Sequence, residues 1–231
     1  MTLLKTTIMF YVLFAALCLS VIRQACIKVV GGPQYGSIVY LSFGSLVPRF
    51  VEYFFYQNPN LLDLTRCGAS GLLKYEQNVI TVSAGYFLQA IFTGWRIGED
   101  WYLQFHHMFC FMTVTMPLYM DCCAFEILML LWIGEFTTPC AFWIFFYEKN
   151  EAMNQWWPLI LNKFVYLVVF VLLRFGVGTY FLWVLLNSDT LLVVKMSCVF
   201  MVAFNSYVLV MAVGEIKNYA QTFRLRRGKT Q

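Results

Sequence analysis

The feature that most constrains this chain is its series of strongly apolar runs, each close to the length of a helix that crosses a bilayer. A transmembrane helix needs about 20 predominantly apolar residues. Seven windows near this length are Thr6 to Ile22, Val29 to Pro48, Gln77 to Trp95, Trp101 to Met120, Ala124 to Tyr147, Asn162 to Ser188 and Thr190 to Gly214. Membrane β-strands would alternate polar and apolar residues, and these runs do not. The sequence therefore predicts an all-α, polytopic membrane bundle of about seven transmembrane helices.

Composition agrees with this class. Hydrophobic residues make up 61% of the chain and charged residues 12%, whereas soluble domains average about 45–50% and about 25%. No linker is long enough to separate a second domain, so residues 1–231 are predicted to form one membrane domain. The first apolar run resembles a secretory signal, but Arg23 and Lys28 follow it as positive anchors, which favours a retained helix.

The basic residues predict the orientation in the membrane. After Glu215 the tail, about residues 216–231, has no acid and holds Lys217, Arg224, Arg226, Arg227 and Lys229. The positive-inside rule places this tail in the cytosol, and seven spans then place the N-terminus outside or in a lumen. The basic charge of the tail is explained by its role in setting the orientation and by its attraction to anionic lipid headgroups. Nucleic acid is therefore not expected as a partner.

Polar residues within the fifth and sixth windows predict an internal site. Glu135 and Arg174 are costly at membrane depth unless they pair, so we expect them to meet inside the bundle. The segment GEFTTPC, residues 134–140, breaks its window because Pro139 lacks an N–H group, and Thr138 can satisfy a freed backbone group. Such a kink often opens a pocket. The alternative is that the helix only bends to accommodate the proline and forms no pocket.

The only two histidines of the chain, His106 and His107, are adjacent. Successive helical residues differ by about 100°, so one ring can face the bundle interior while the other supports it. Imidazole can move a proton near neutral pH, and both a structural and a catalytic role stay open. His106 and Cys110 share a helical face, but two ligands without a third make a poor metal site, so no metal is predicted.

The eight cysteines contain no CxxC pair, and most lie within apolar runs as small hydrophobic residues. Cys67 and the adjacent Cys122 and Cys123 lie near the ends of runs. One disulfide among them remains an alternative.

Four fragments, taken in chain order, resemble the TLC-domain family, which includes ceramide synthases and other lipid-linked membrane proteins. They are GYFLQA at 85–90, FHH at 105–107, IGEFTTP at 133–139 and LNKFVYLVVFVLLRFGVGTYFL at 161–182. The resemblance covers about residues 40–215. It implies six or seven helices around a lipid-sized cavity, in the endoplasmic reticulum or a related endomembrane.

In ceramide synthases of this family the histidine pair looks like part of an acyl-transfer site. The resemblance thus implies His106 and His107 as catalytic residues if this chain is an acyltransferase, with acyl-CoA as the acyl donor. However, the Asp that the family has after Gly-Tyr-Phe-Leu-x is Ala90 here, and Gln89 is the neighbouring polar group. A histidine base usually needs an acid or carbonyl to orient it, so the non-synthase branch is favoured, with no cofactor.

The predicted site follows from the polar residues and the resemblance together. The lipid-binding candidates are His106, His107, Gln89, Glu135 and Thr138, and the structural candidates are Pro139, Asn162 and Arg174. The leading hypothesis is a protein that binds a membrane lipid or acyl chain in an intramembrane cavity and contributes to membrane lipid homeostasis. The alternatives are an acyl-CoA-dependent acyltransferase, and a structural or trafficking subunit that forms homo-oligomers or binds another membrane protein.

Overall fold

The structure, a computed structural model, describes residues 2–30, 74–98, 100–138, 140, 144 and 157–228. All regular structure in these residues is helical, which confirms the all-α prediction. The elements are α1 (Thr2–Val30), α2 (Lys74–Ile97), α3 (Trp101–Met120), α4 (Ala124–Glu135), α5 (Trp157–Phe170), a π-helical segment (Val171–Val177), α6 (Gly178–Leu186) and α7 (Leu192–Gly228). Helix α5, the π-helical segment and α6 follow one another without a break.

Among the described residues, three helical stretches are long and apolar enough to cross a membrane. They are Thr7–Ala25 in α1, Leu161–Leu186 from α5 to α6, and Leu192–Met211 in α7. The structure therefore supports the membrane class for this all-helical chain, and three of the seven predicted windows are candidate spans in its described part.

The other four windows have different outcomes. Helices α2 and α3 form where two spans were predicted, but polar side chains, the two histidines among them, lower their hydropathy. Helix α4 has 12 residues, fewer than a span requires. Most of the window Val29 to Pro48 lies outside the described residues, and so do most of residues 139–147 at the end of the fifth window.

Helix α1 packs closely against α2, and a glycine makes this possible. A Cβ atom built on Gly85 would lie 2.6 Å from the Cβ of Ala15 and 2.9 Å from the backbone nitrogen of Ala16. Membrane helices approach each other through such small residues, because their backbones can then pack without intervening side chains. Val12 and Ile80 are fully buried in the same part of the core. Helix α1 is thus packed against α2 in the described structure.

A tight turn separates α3 from α4. The N–H of Asp121 donates to the carbonyl of Pro117 over 2.8 Å and closes α3. Asp121 and Cys123 have positive φ angles of 55° and 59°, a conformation that non-glycine residues seldom adopt. Cys123 takes part in a disulfide, whereas Cys122 is a free thiol, and Cys67 lies outside the described residues.

Helix α4 occupies the centre of the described bundle. It is apolar on nearly all sides, a pattern typical of helices that are surrounded by protein, and its residues from Ala124 to Leu131 are all buried. It contacts α2, α3, α7 and the π-helical segment. Its last residue, Glu135, lies within the segment that was predicted to break the helix, and this end of α4 carries the candidate site.

Candidate functional site

A cavity of about 70 Å³ lies beside the C-terminal end of α4. Side chains from α2, α3, α4, the π-helical segment and α7 line it: Phe87, His106, Phe109, Cys110, Thr113, Val114, Ile127, Leu130, Leu131, Gly134, Glu135, Arg174, Ser197, Phe200 and Met201. A water molecule needs about 10–15 Å³ on this measure, and typical ligand pockets enclose about 300–1,000 Å³. Within the described residues the cavity fits a polar group and a few carbons, which is less than the predicted lipid-sized space.

Arg174 is held at this end of the cavity by three neutral oxygens. Its Nη1 donates to Oδ1 of Asn205 over 2.7 Å, and its Nη2 donates to the carbonyl of Gly134 and to Oγ1 of Thr137 over 3.1 Å. The last carbonyls of a helix have no partner within the helix, so the end of α4 offers an acceptor that the guanidinium uses. Arg174 thereby connects α4 to α7 from the π-helical segment.

Glu135 does not make the direct ion pair with Arg174 that the sequence predicted. Its Oε2 accepts a hydrogen bond from Oγ1 of Thr138 over 2.8 Å, and the contacts of Arg174 in the described chain are to other residues. Both side chains nevertheless line the same cavity. Sequence reasoning missed Asn205, which is fully buried. The available signal was that Asn205 is the single amide side chain in the last window.

The two histidines have different positions. His106 lines the cavity, and its ring stacks on Phe204 with centroids 4.3 Å apart and planes 10° apart. The Sγ atom of Cys110 lies 3.6 Å from its Nε2. His107 is not among the lining residues, and its ring centroid lies 6.5 Å from that of Phe87 on α2. The structure thus brings His106 to Glu135 and Arg174, with His107 beside them in the α2–α3 contact.

The other described candidates, Gln89, Thr138 and Asn162, are not among the residues that line the cavity. Gln89 is buried, and its Nε2 donates to Oγ1 of Thr93 over 2.7 Å. Thr138 donates a hydrogen bond to Glu135, which does line the cavity. Asn162 donates from Nδ2 to the carbonyl of Cys140 over 3.0 Å and so joins α5 to the chain that follows α4. Pro139 lies outside the described residues.

Two hydroxyl groups on the cavity wall connect α3 to α7. Oγ1 of Thr113 lies 3.1 Å from Oγ of Ser197, and Ser197 donates its own hydrogen to the carbonyl of Val193 over 2.9 Å. Because a serine hydroxyl has a single hydrogen, Thr113 is the donor between the two. Neither hydroxyl is therefore poised to lose its proton to His106.

The arrangement suits the binding of a polar group better than base catalysis. Among the described residues, the hydrogen-bonding neighbour of the His106 ring is the Cys110 thiol, not the carboxylate or carbonyl that orients a catalytic histidine. No cluster of three or more His, Cys, Asp or Glu side chains in the described chain could hold a metal ion.

Comparisons of the chain with protein families, with curated proteins and with solved structures gave no match. The resemblance to the TLC-domain family stays a prediction from the sequence motifs. The fold and the site define an all-helical chain of membrane type, with a small polar-ended cavity beside the C-terminal end of α4 in its described part.

Proposed function

We propose that this protein is a multi-pass membrane protein of about seven spans that holds the polar end of a membrane lipid in its internal cavity and contributes to membrane lipid homeostasis. The resemblance to the TLC-domain family implies the endoplasmic reticulum or a related endomembrane as its location, and this location is part of the proposal. The observation that carries the proposal is the cavity itself, whose aromatic and aliphatic walls meet His106, Glu135 and Arg174 at one end.

The chemistry of the cavity favours a lipid, because a lipid has a hydrocarbon part that matches the apolar wall and a polar group that matches the polar end. Phe109, Phe200 and Leu131 offer apolar surface, against which the hydrocarbon of a lipid packs by van der Waals contact. Glu135 and Arg174 offer strong hydrogen-bonding groups at membrane depth, where water is scarce and an unsatisfied polar group is costly. A cavity of about 70 Å³ accommodates the headgroup linkage and its first carbons.

The proposal is tested by filling the cavity. Gly134 lines it, and a Cβ at this position would have no described atom within 4 Å. We expect Gly134→Leu to occupy the space without disturbing the backbone carbonyl that binds Arg174. Native mass spectrometry of the full chain, purified in mild detergent, should show a co-purified lipid that Gly134→Leu loses.

The matched control is Gly176→Leu. Gly176 is exposed and equally free of neighbours within 4 Å, but it does not line the cavity. The control should retain the lipid. A native protein that carries no lipid, or equal retention by both variants, would refute the proposal.

Acyl transfer is a second candidate, favoured by the contact between the His106 ring and the Cys110 thiol. In such a reaction His106 would take the proton of the Cys110 thiol, and the thiolate would attack the thioester carbonyl of acyl-CoA. The acyl group would then be joined to Cys110, and the departing CoA thiolate would take the proton from His106 and leave as the thiol. An acceptor amine or hydroxyl would then take the acyl group and regenerate the thiol. The test is incubation with acyl-CoA followed by peptide mass spectrometry. An acyl adduct on Cys110, lost in Cys110→Ala, would establish this function, and an unmodified cysteine without acyl transfer to added acceptors would exclude it.

A further inference from the structure

The polar end of the cavity contains two opposite charges that line the same space without touching. Glu135 and Arg174 both contribute to the wall, but the guanidinium contacts Asn205, Gly134 and Thr137. A buried charge pair that is not in direct contact leaves hydrogen-bonding capacity on both groups, and in a low-dielectric site this capacity is costly to leave unused.

Arg174 has an unused hydrogen-bond donor, and Glu135 has unused acceptor positions. The Nε–H of Arg174 is buried and has no acceptor among the described residues. The carboxylate of Glu135 accepts one hydrogen bond in the described structure, from Thr138, although a carboxylate has about four acceptor positions. A group that completes this site must therefore accept from Arg174 and donate to Glu135.

The charges of Glu135 and Arg174 further limit which headgroup can bind in the cavity. An anionic headgroup would be attracted by Arg174 and repelled by Glu135, and a cationic headgroup would meet the reverse. Unit charges interact strongly where little water screens them, so a like-charge neighbour in this cavity penalises a charged headgroup. A hydroxyl group carries no net charge and both accepts and donates a hydrogen bond.

We infer that the ligand of this cavity is an uncharged lipid with a free hydroxyl group, such as a long-chain alcohol, a partial glyceride or a sterol. Its oxygen accepts from Nε of Arg174, and its hydrogen donates to the carboxylate of Glu135. The adjoining carbons lie against Phe109, Phe200 and Leu131. The inference rests on the proposed lipid-binding function and specifies the headgroup.

The test uses three probes with the same chain and different headgroup charge. Photoreactive diazirine analogues of hexadecanol, hexadecanoic acid and hexadecylamine are added to the full-length protein in lipid nanodiscs, at a pH where the acid and the amine are ionised. Labelled peptides are then quantified by mass spectrometry. We expect the alcohol to label peptides that contain cavity residues roughly tenfold more than either charged probe, since each of those meets one like charge.

A charge-neutralising substitution provides the second arm. Glu135→Gln keeps the shape and an acceptor for Thr138 but removes the negative charge, so the acid should become the preferred probe. Asp189→Asn is the matched control, because it makes the same change at an exposed turn, and it should leave the preference for the alcohol intact.

The outcomes separate the two proposals. If a charged probe labels the cavity of the native protein best, or if Glu135→Gln leaves the order of the probes unchanged, the hydroxyl inference is wrong while lipid binding stands. If none of the three probes labels cavity peptides above the background of exposed peptides, both the inference and the proposed function fail.

Discussion

At the scale of single residues, Arg174 shows how a buried cation can be satisfied without a direct counter-ion. Its guanidinium presents several N–H donors in a fixed plane, and it uses them on an amide, a hydroxyl and a carbonyl. A carboxylate partner was predicted because sequence reasoning considered only charged residues. Asn205 lies 31 positions away in the chain, and only the packing of α7 against the π-helical segment brings it to Arg174.

The Arg174–Asn205 contact gives a prediction about stability. Arg174→Ala and Asn205→Ala should each destabilise the protein, because each leaves buried polar groups unsatisfied. A hydrogen bond to a charged group contributes about 1.5–3 kcal/mol, so the double variant should be less stable than either single variant but clearly more stable than their sum predicts. Denaturant or thermal unfolding in detergent measures this coupling.

A second double-mutant cycle, with Glu135 in place of Asn205, provides the comparison. Because the described structure has no direct contact between Glu135 and Arg174, the Glu135→Gln and Arg174→Ala changes should show a smaller coupling than the Asn205 cycle. A larger coupling with Glu135 than with Asn205 would contradict the geometry described above.

The two histidines should respond differently to substitution. His106 lines the cavity, while His107 packs beside Phe87. We therefore expect His106→Ala to reduce lipid retention more than His107→Ala, measured by native mass spectrometry of the two variants. If His107→Ala alone releases the lipid, the position of the cavity relative to α3 is wrong.

At the scale of helices, the pattern of apolar runs located the elements but did not reveal the π-helical segment. The window from Asn162 to Ser188 was predicted as one span, and α5, the π-helical segment and α6 do form one continuous stretch. The π-helical turns surround Arg174, and such segments are frequent at functional sites. Hydropathy does not distinguish π-helical from α-helical turns, because both present the same apolar side chains.

Gly85 tests the contact between α1 and α2. Gly85→Ala should lower the free energy of unfolding by about 1–3 kcal/mol, the usual cost of overpacking, because its Cβ would meet Ala15 and the backbone of Ala16. Gly176→Ala is the control, since its Cβ meets no described atom within 4 Å. Equal unfolding midpoints for the two variants would show that α1 is not packed against α2.

At the scale of the whole molecule, the orientation in the membrane is the property to measure. The basic residues from Lys217 to Lys229 predict a cytosolic C-terminus by the positive-inside rule, and about seven spans then put the N-terminus on the opposite side. Glycosylation-acceptor tags at each end, expressed in microsomes, should be modified at the N-terminus and unmodified at the C-terminus. The same modification state at both ends would indicate an even number of spans.

The sequence by itself determined the class of this protein, because helix length, apolar composition and basic flanks are local properties of the chain. It identified His106, Glu135 and Arg174 as polar residues that require an explanation at membrane depth. Only the tertiary structure decided that His106, but not His107, lines the cavity, and that Asn205 bonds to Arg174. These outcomes depend on the rotation of each helix about its axis, which is set by the packing of α2, α3 and α7 around α4 and leaves no signature in any single segment.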